Sequence, residues 1–314
     1  MISEISYPCK IDRSMQKAMF LKAQSNEPRP LVVALHTWSY HYDAVYEGYA
    51  DFCEKNDWNM IFPDFRGPND TPEACGSDFV VSDIEDAVAY MKTVCNVDPN
   101  RIYLVGGSGG GHCTLLLAGR RPDIWTAVSA WCPITDVAAW HRQCLNEERF
   151  KHYSQHIEKA CGGNPAENDF AAKECLKRSP LSWLANAKDL IVDISTGIHD
   201  GHTGSVPISH TFNAFNILAN SDDRIAEKDI EYAVINEQIP PSLAGECSEE
   251  PSLNGRKVHF RRQSENTRIT IFEGGHDLII NSAMQFLAKQ IKGKKADWSA
   301  NCAADRNSSD ELSK

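Results

Sequence analysis

Three stretches of the chain hold residue types that can activate an oxygen nucleophile. The first is residues 105–112, VGGSGGGH. Gly106, Ser108 and Gly110 fit the pattern G-x-S-x-G, with an apolar run at 102–105 before it and helix-compatible residues 113–118 after it. A strand that feeds a helix through so tight a turn crowds the positions two before and two after the serine, so both need glycine. The serine hydroxyl is then lifted to the top of a sheet. The amide of Gly109, at the helix start, faces any oxyanion that develops beside it.

A serine hydroxyl at its ordinary pKa is a poor nucleophile. It needs an imidazole to take its proton and a carboxylate to hold that imidazole in the right tautomer. Residues 190–196 (LIVDIST) are followed by Gly197, Ile198, His199 and Asp200; residues 268–274 (RITIFEG) are followed by Gly275, His276 and Asp277. His276 is the favoured base, because it directly follows the last strand beside glycines that allow close approach. His199, His202, His210 and His112 compete for the role; His112, one turn beyond the serine, is expected to line the pocket or pack. Asp200 is the favoured acid, over Asp193, Asp136 and Glu273. A second oxyanion donor is expected after residues 31–36 (LVVALH), from the backbone amide of Trp38 or, less favourably, Thr37. Trp38, Tyr40, His41, Tyr42, Trp131 and Trp140 fall at or near strand ends on one side. With Thr37 and His112 they outline an aromatic pocket suited to a sugar ring or an aromatic acyl group. Arg66 follows a strand and is placed to reach the pocket mouth. His199 and His202 beside Asp200 are a weak metal signal, and no metal or cofactor is expected.

Positioning these residues requires strands that end on one side of a sheet. Short apolar runs at 16–23, 31–36, 59–65, 101–105, 126–132, 190–196 and 268–274 read as strands. Helical pattern lies between them: up to 55, after a capping box at Ser82–Glu85 with Ile84, Val88 and Met91 on one face, at 113–118, at 208–219 and at 278–291. This alternation predicts an α/β fold, with a mostly parallel central sheet and helices on both faces, and a ligand site beyond the carboxyl ends of the strands. Two insertions interrupt it. Residues 134–188 are expected to lie over the site, and 220–265 to be irregular and acidic. The expected organisation is one domain over 1–292 and a polar, flexible tail from 293.

The chain has 314 residues with 42% hydrophobic and 24% charged, ordinary for a globular protein. A formal net charge of −11 argues against nucleic acid or an anionic membrane surface as the main partner, and no apolar run is long enough to span a bilayer. Eleven cysteines are many for this length, and none falls in CxxC spacing. Cys113 and Cys132 sit in apolar stretches and are expected in the core. Cys144, Cys161, Cys175 and Cys247 lie in the insertions and are candidates for disulfides. That leans towards a secreted or periplasmic setting with the leader absent from this chain.

With these residues in view, the chain resembles the α/β-hydrolases. More narrowly it resembles the catalytic domain of the prolyl oligopeptidase family and related esterases. Asp98, Arg101 and Ile102 before the serine strand, Gly197, Asp200, Val206 and Pro207 in the acid loop, and Gly275 and His276 near the end match that pattern. Gly201–Gly204 (GHTG) lengthens the acid loop, and Gly109 stands where those peptidases usually carry an aromatic residue. Only about thirty residues precede the strand at 31–36 in this sequence, so the propeller of those peptidases is not expected ahead of it. The resemblance implies a serine hydrolase that works through an acyl-enzyme. The expected substrate is a small or oligosaccharide ester, with acetyl or feruloyl groups removed from carbohydrate. The alternative is a peptidase acting on short peptides.

Overall fold

The computed structural model describes residues 2–245 and 248–299. Among them ten strands form one sheet: β1 (Ser3–Pro8), β2 (Met15–Leu21), β3 (Arg29–Leu35), β4 (Asn59–Pro63), β5 (Val97–Gly107), β6 (Ala127–Trp131), β7 (Ile191–Gly197), β8 (Ser248–Glu250), β9 (Arg256–Ser264) and β10 (Thr267–Phe272). The helices are α1 (Glu47–Asn56), α2 (Asp78–Val94), α3 (Gly109–Arg120), α4 (Val137–Leu145), α5 (Lys151–Cys161), α6 (Asp169–Arg178), α7 (Ser209–Leu218), α8 (Glu227–Asn236) and α9 (Ile280–Ala288). The strand order is β1-β2-β4-β3-β5-β6-β7-β10-β9-β8. The six central strands, β4 to β10, run parallel, and the strands outside them antiparallel.

Burial on both faces explains the continuous apolar runs. In β3, Leu31, Val33 and Leu35 pack with residues of α2, α3 and α7, whereas Val32 and Ala34 pack on the opposite face with α1 and α9. The expected face of α2 is confirmed, since Ile84, Val88 and Met91 are buried. Its start is not at Ser82. Ser77 is the N-cap, accepting from the amides of Phe79 and Val80, and Ser82 lies mid-helix with its hydroxyl on Asp86. Ser77 closes the glycine-containing turn at Cys75–Gly76, so the backbone reaches helical geometry one turn early.

The insertion at 134–188 is helical, as α4, α5 and α6, and has its own small core of Ile134, Val137, Trp140, Ile157 and Ala160 against Trp38. The segment 220–265 departs from expectation. It contains α8 and a nine-residue strand, β9, antiparallel to β10. In β9 only Val258, Phe260 and Ser264 are buried, the alternation of a strand covered on one face. Residues 293–299 are also partly packed: Trp298 stacks on Phe286 at 5.4 Å and Ala296 is buried. The rest of the tail and Cys247 lie outside the described residues.

Candidate active site

Ser108 stands at the junction of β5 and α3 with φ 56° and ψ −120°. A non-glycine residue held there costs about 1–3 kcal/mol, so its surroundings must impose it. Its amide donates to the Trp131 carbonyl at 2.8 Å, and its carbonyl accepts from the His112 amide at 2.9 Å. A Cβ on Gly106 would lie 2.5 Å from the Gly110 carbonyl carbon, which is the crowding that the motif predicts. A Cβ on Gly109 would lie 2.5 Å from both N and Cα of Trp38. The two backbones therefore touch, and the amides of Gly109 and Trp38 are brought to one place. The Trp38 carbonyl is fixed from behind by Asn69, through its amide at 2.9 Å and its Nδ2 at 3.2 Å.

The ends of β7 and β10 meet beside this turn. His276 Nδ1 and Asp200 Oδ2 are 2.8 Å apart. Asp200 Oδ1 accepts from the amides of Gly201 at 2.9 Å and Val206 at 3.2 Å, and Thr196 Oγ1 donates to Oδ2 at 3.4 Å. The lengthened loop thus wraps its own carboxylate. Burial works against a charged His276, but the Asp200 carboxylate outweighs it and holds the imidazole pKa above its ordinary value. Ser108 Oγ makes no hydrogen bond to His276 among the described residues. Such contacts commonly tighten only when substrate is bound.

Cys132 was expected in the core, and it is buried, but at the site rather than remote from it. Its Sγ lies with ligand atoms of Asp200 and His276 inside a 4.8 Å cluster, donates to the Asp277 carbonyl at 3.3 Å and accepts from Thr196 Oγ1 at 3.6 Å. Its position directly after β6, at the sheet end that carries Ser108, is the signal that sequence reading passed over. These three residues have metal-binding chemistry, yet two of them are already joined by the His276–Asp200 hydrogen bond.

The rival groups are engaged elsewhere. Asp136 is the N-cap of α4, accepting from the Ala139 amide at 2.9 Å. Asp193 pairs with Arg268 at 2.7 Å. Glu273 lies between His199 (3.1 Å) and His259 (2.7 Å), and Glu237 bonds the other nitrogen of His199 at 2.6 Å. His202 bonds the Val234 carbonyl at 2.6 Å. His210 and His112 are buried; His210 meets the Thr135 amide at 3.1 Å, and His112 the Arg178 carbonyl at 2.8 Å.

The aromatic group divides. Trp38 packs edge-on against Trp140 with centroids 4.7 Å apart, and Tyr153 stands beside both. Thr37 is buried next to Trp38 and Tyr40 is exposed. Trp131 does not face the site. Strand alternation turns its ring to the α1/α9 face, where it packs on Phe272 and bonds Ser129. Arg66 does not reach a pocket mouth either: Asp83 holds it through Nε at 2.7 Å and Nη2 at 2.9 Å, and Asp12 holds Nη1 at 2.7 Å.

Comparison with known proteins bears on the fold and on the class of the chain. The model of the prolyl oligopeptidase family matches residues 77–232. Acylamino-acid-releasing enzyme 1 of Oryza sativa subsp. japonica is 23% identical over 214 residues, covering 60% of this chain and 26% of the relative. Among solved structures, Pyrococcus horikoshii acylaminoacyl peptidase superposes with a TM-score of 0.63 at 14% identity, over 95% of this chain and 43% of that one. Prolyl oligopeptidase B of Galerina marginata gives 0.56 at 14% identity, over 69% and 31%. The chain spans about a quarter of the rice relative's length and less than half of either solved structure. The chain is an α/β-hydrolase. The family match and the relatives support a serine hydrolase with a catalytic domain of the prolyl oligopeptidase type. The matches do not support the expected carbohydrate esterase; they favour the peptidase alternative.

Proposed function

We propose that the chain is a serine peptidase acting on short, N-acylated peptides. Ser108 attacks the scissile carbonyl, His276 takes the serine proton, and Asp200 orients His276 and stabilises the imidazolium. The amides of Gly109 and Trp38 receive the oxyanion. His276 then donates its proton to the departing amine, and water repeats the sequence to release the acyl group. An imidazolium stabilised by Asp200 suits this second task, because an amine leaves only once protonated.

The single observation that supports the chemistry is the 2.8 Å His276–Asp200 bond beside the Ser108 turn. The family match and the names of the relatives support the amide substrate. The test compares kcat/KM for N-acetylalanyl p-nitroanilide, p-nitrophenyl acetate and acetylated xylo-oligosaccharides, with Ser108→Ala as control. Turnover of the anilide that is lost in the variant is expected. Turnover of acetylated sugars with no anilide cleavage would replace the peptidase reading by the esterase one.

A further inference from the structure

Away from the Ser108 site, three thiols from three separate segments meet in the small core beneath Trp38. Cys75 lies in the loop before α2, Cys161 ends α5, and Cys175 lies in α6; all three are buried and free. The three belong to one packed cluster, with Cys161 and Cys175 on the adjoining helices α5 and α6 and Cys75 in the loop whose carbonyls Arg178 of α6 bonds. We propose that the three form a thiol–disulfide exchange site in which Cys161 is the shared partner, pairing with Cys175 inside the helical insertion or with Cys75 across to the body of the domain.

The surroundings fit that chemistry. Arg178 crosses the same place, donating to the carbonyls of Ala74 at 2.8 Å and Pro72 at 3.0 Å, so α6 and the Cys75 loop are held against each other. The two neighbouring thiols and the Arg178 charge favour the Cys161 thiolate, which is the attacking form, while the same interaction holds the protons on Cys75 and Cys175 until Cys161 has reacted. Gly162 and Gly163, with φ 85° and 137°, follow Cys161 and close the end of α5, their amides donating to the Glu158 carbonyl at 2.9 Å and 2.8 Å. Oxidation needs an external small disulfide such as oxidised glutathione. The Cys161 thiolate attacks one of its sulfurs, and the S–S bond breaks. One glutathione thiolate leaves with the electron pair. The thiolate of Cys175 or Cys75, having given up its proton, then displaces the second glutathione. Two protein thiols and one oxidised glutathione thus yield one protein disulfide and two glutathiones. The alternative pairing has a consequence for the site: the Cys75 amide bonds Asn69 Oδ1 at 2.9 Å, and Asn69 holds the Trp38 carbonyl.

The cross-links are separable by tryptic mapping. The intact chain is equilibrated in glutathione buffers of graded ratio, quenched with N-ethylmaleimide, and digested without reduction. Cys161 lies in peptide 160–173, Cys175 in 174–177 and Cys75 in 67–92. Peptide 160–173 joined to either partner is expected, increasing with the oxidised fraction and reversed by dithiothreitol. Cys175→Ser is expected to retain the 67–92 to 160–173 link, and Cys161→Ser to lose both. The proposal is overturned if wild-type 160–173 carries no cross-link to either partner, if Cys75 joins Cys175 directly, or if Cys175→Ser forms no link.

Discussion

Gly204→Ala tests the acid loop more sharply than removal of any charged group. A Cβ at this position would run into Asp200 Oδ1 and His276 Cβ, with His276 Cγ 3.1 Å away. Relief to ordinary contact at about 3.5 Å requires roughly 1 Å of movement between the loop and the imidazole. The His276–Asp200 separation is 2.8 Å. At an effective dielectric of about 20, opening it to about 3.8 Å lowers the ion-pair attraction from about 6 to about 4.4 kcal/mol. A difference of about 1.5 kcal/mol is close to one pKa unit. The imidazole pKa is raised by that carboxylate, and the base must be neutral to accept the serine proton. The acid limb of kcat/KM should therefore move about one unit towards lower pH in the variant. A misplacement of about 1 Å should also lower kcat by about 100-fold. The assay is a pH–rate profile on p-nitrophenyl acetate, with circular dichroism to confirm folding. A folded variant with an unmoved acid limb and a near-normal rate would refute the assignment of Asp200 as the group that raises His276.

Three further outcomes follow from the geometry. Asp200→Asn should lower kcat by about 10⁴ through the wrong imidazole tautomer, while Asp136→Asn, which keeps a good N-cap on α4, should leave kcat within about twofold. Gly109→Ala must separate two touching backbones, and loss of one oxyanion donor costs about 10²–10³ in kcat, so a rate within a few-fold of the parent would remove Trp38 from the oxyanion site. His112 and His210 are held down to about 4 by burial, so their contribution to stability is complete above about pH 6.5 and is lost as pH falls towards 4. The unfolding free energy from urea titrations should drop across that window, by up to about 1.4 kcal/mol per pH unit for each histidine. His199, raised by Glu237, acts in the opposite sense but is partly exposed and adds little.

The sequence was informative where a residue pattern has one structural solution. The serine turn had to be strand–turn–helix, and strands buried on both faces announce themselves as apolar runs, as at 31–36 and 190–196. Strands covered on one face were harder to read. In β1 and β9 the buried Tyr7, Val258 and Phe260 alternate with exposed or charged positions, so a polar segment and an edge strand look alike. The ring of Trp131 was misjudged for a related reason: being at a strand end fixes height above the sheet, while alternation decides the face. Ser82 satisfied a capping pattern locally, but Ser77 had the turn before it that a helix start needs. The contact between Gly204 and the His276–Asp200 pair depends on two distant loops folding onto each other, and no local pattern records it.

The order of strands across the sheet also bears on how activity is acquired. Ser108 is carried by β5, Asp200 follows β7 and His276 follows β10, with β6 between the first two. Their proximity therefore depends on parallel pairings between distant parts of the chain, each formed only after a long segment has been closed into a loop. The serine turn and α3 can form locally, whereas the base and acid reach it only once β7 and β10 are paired into the sheet. Recovery of activity during refolding should lag behind recovery of helical signal. Reactivity of Ser108 towards a fluorophosphonate is then a report on completion of the whole sheet, not merely on the turn that bears it.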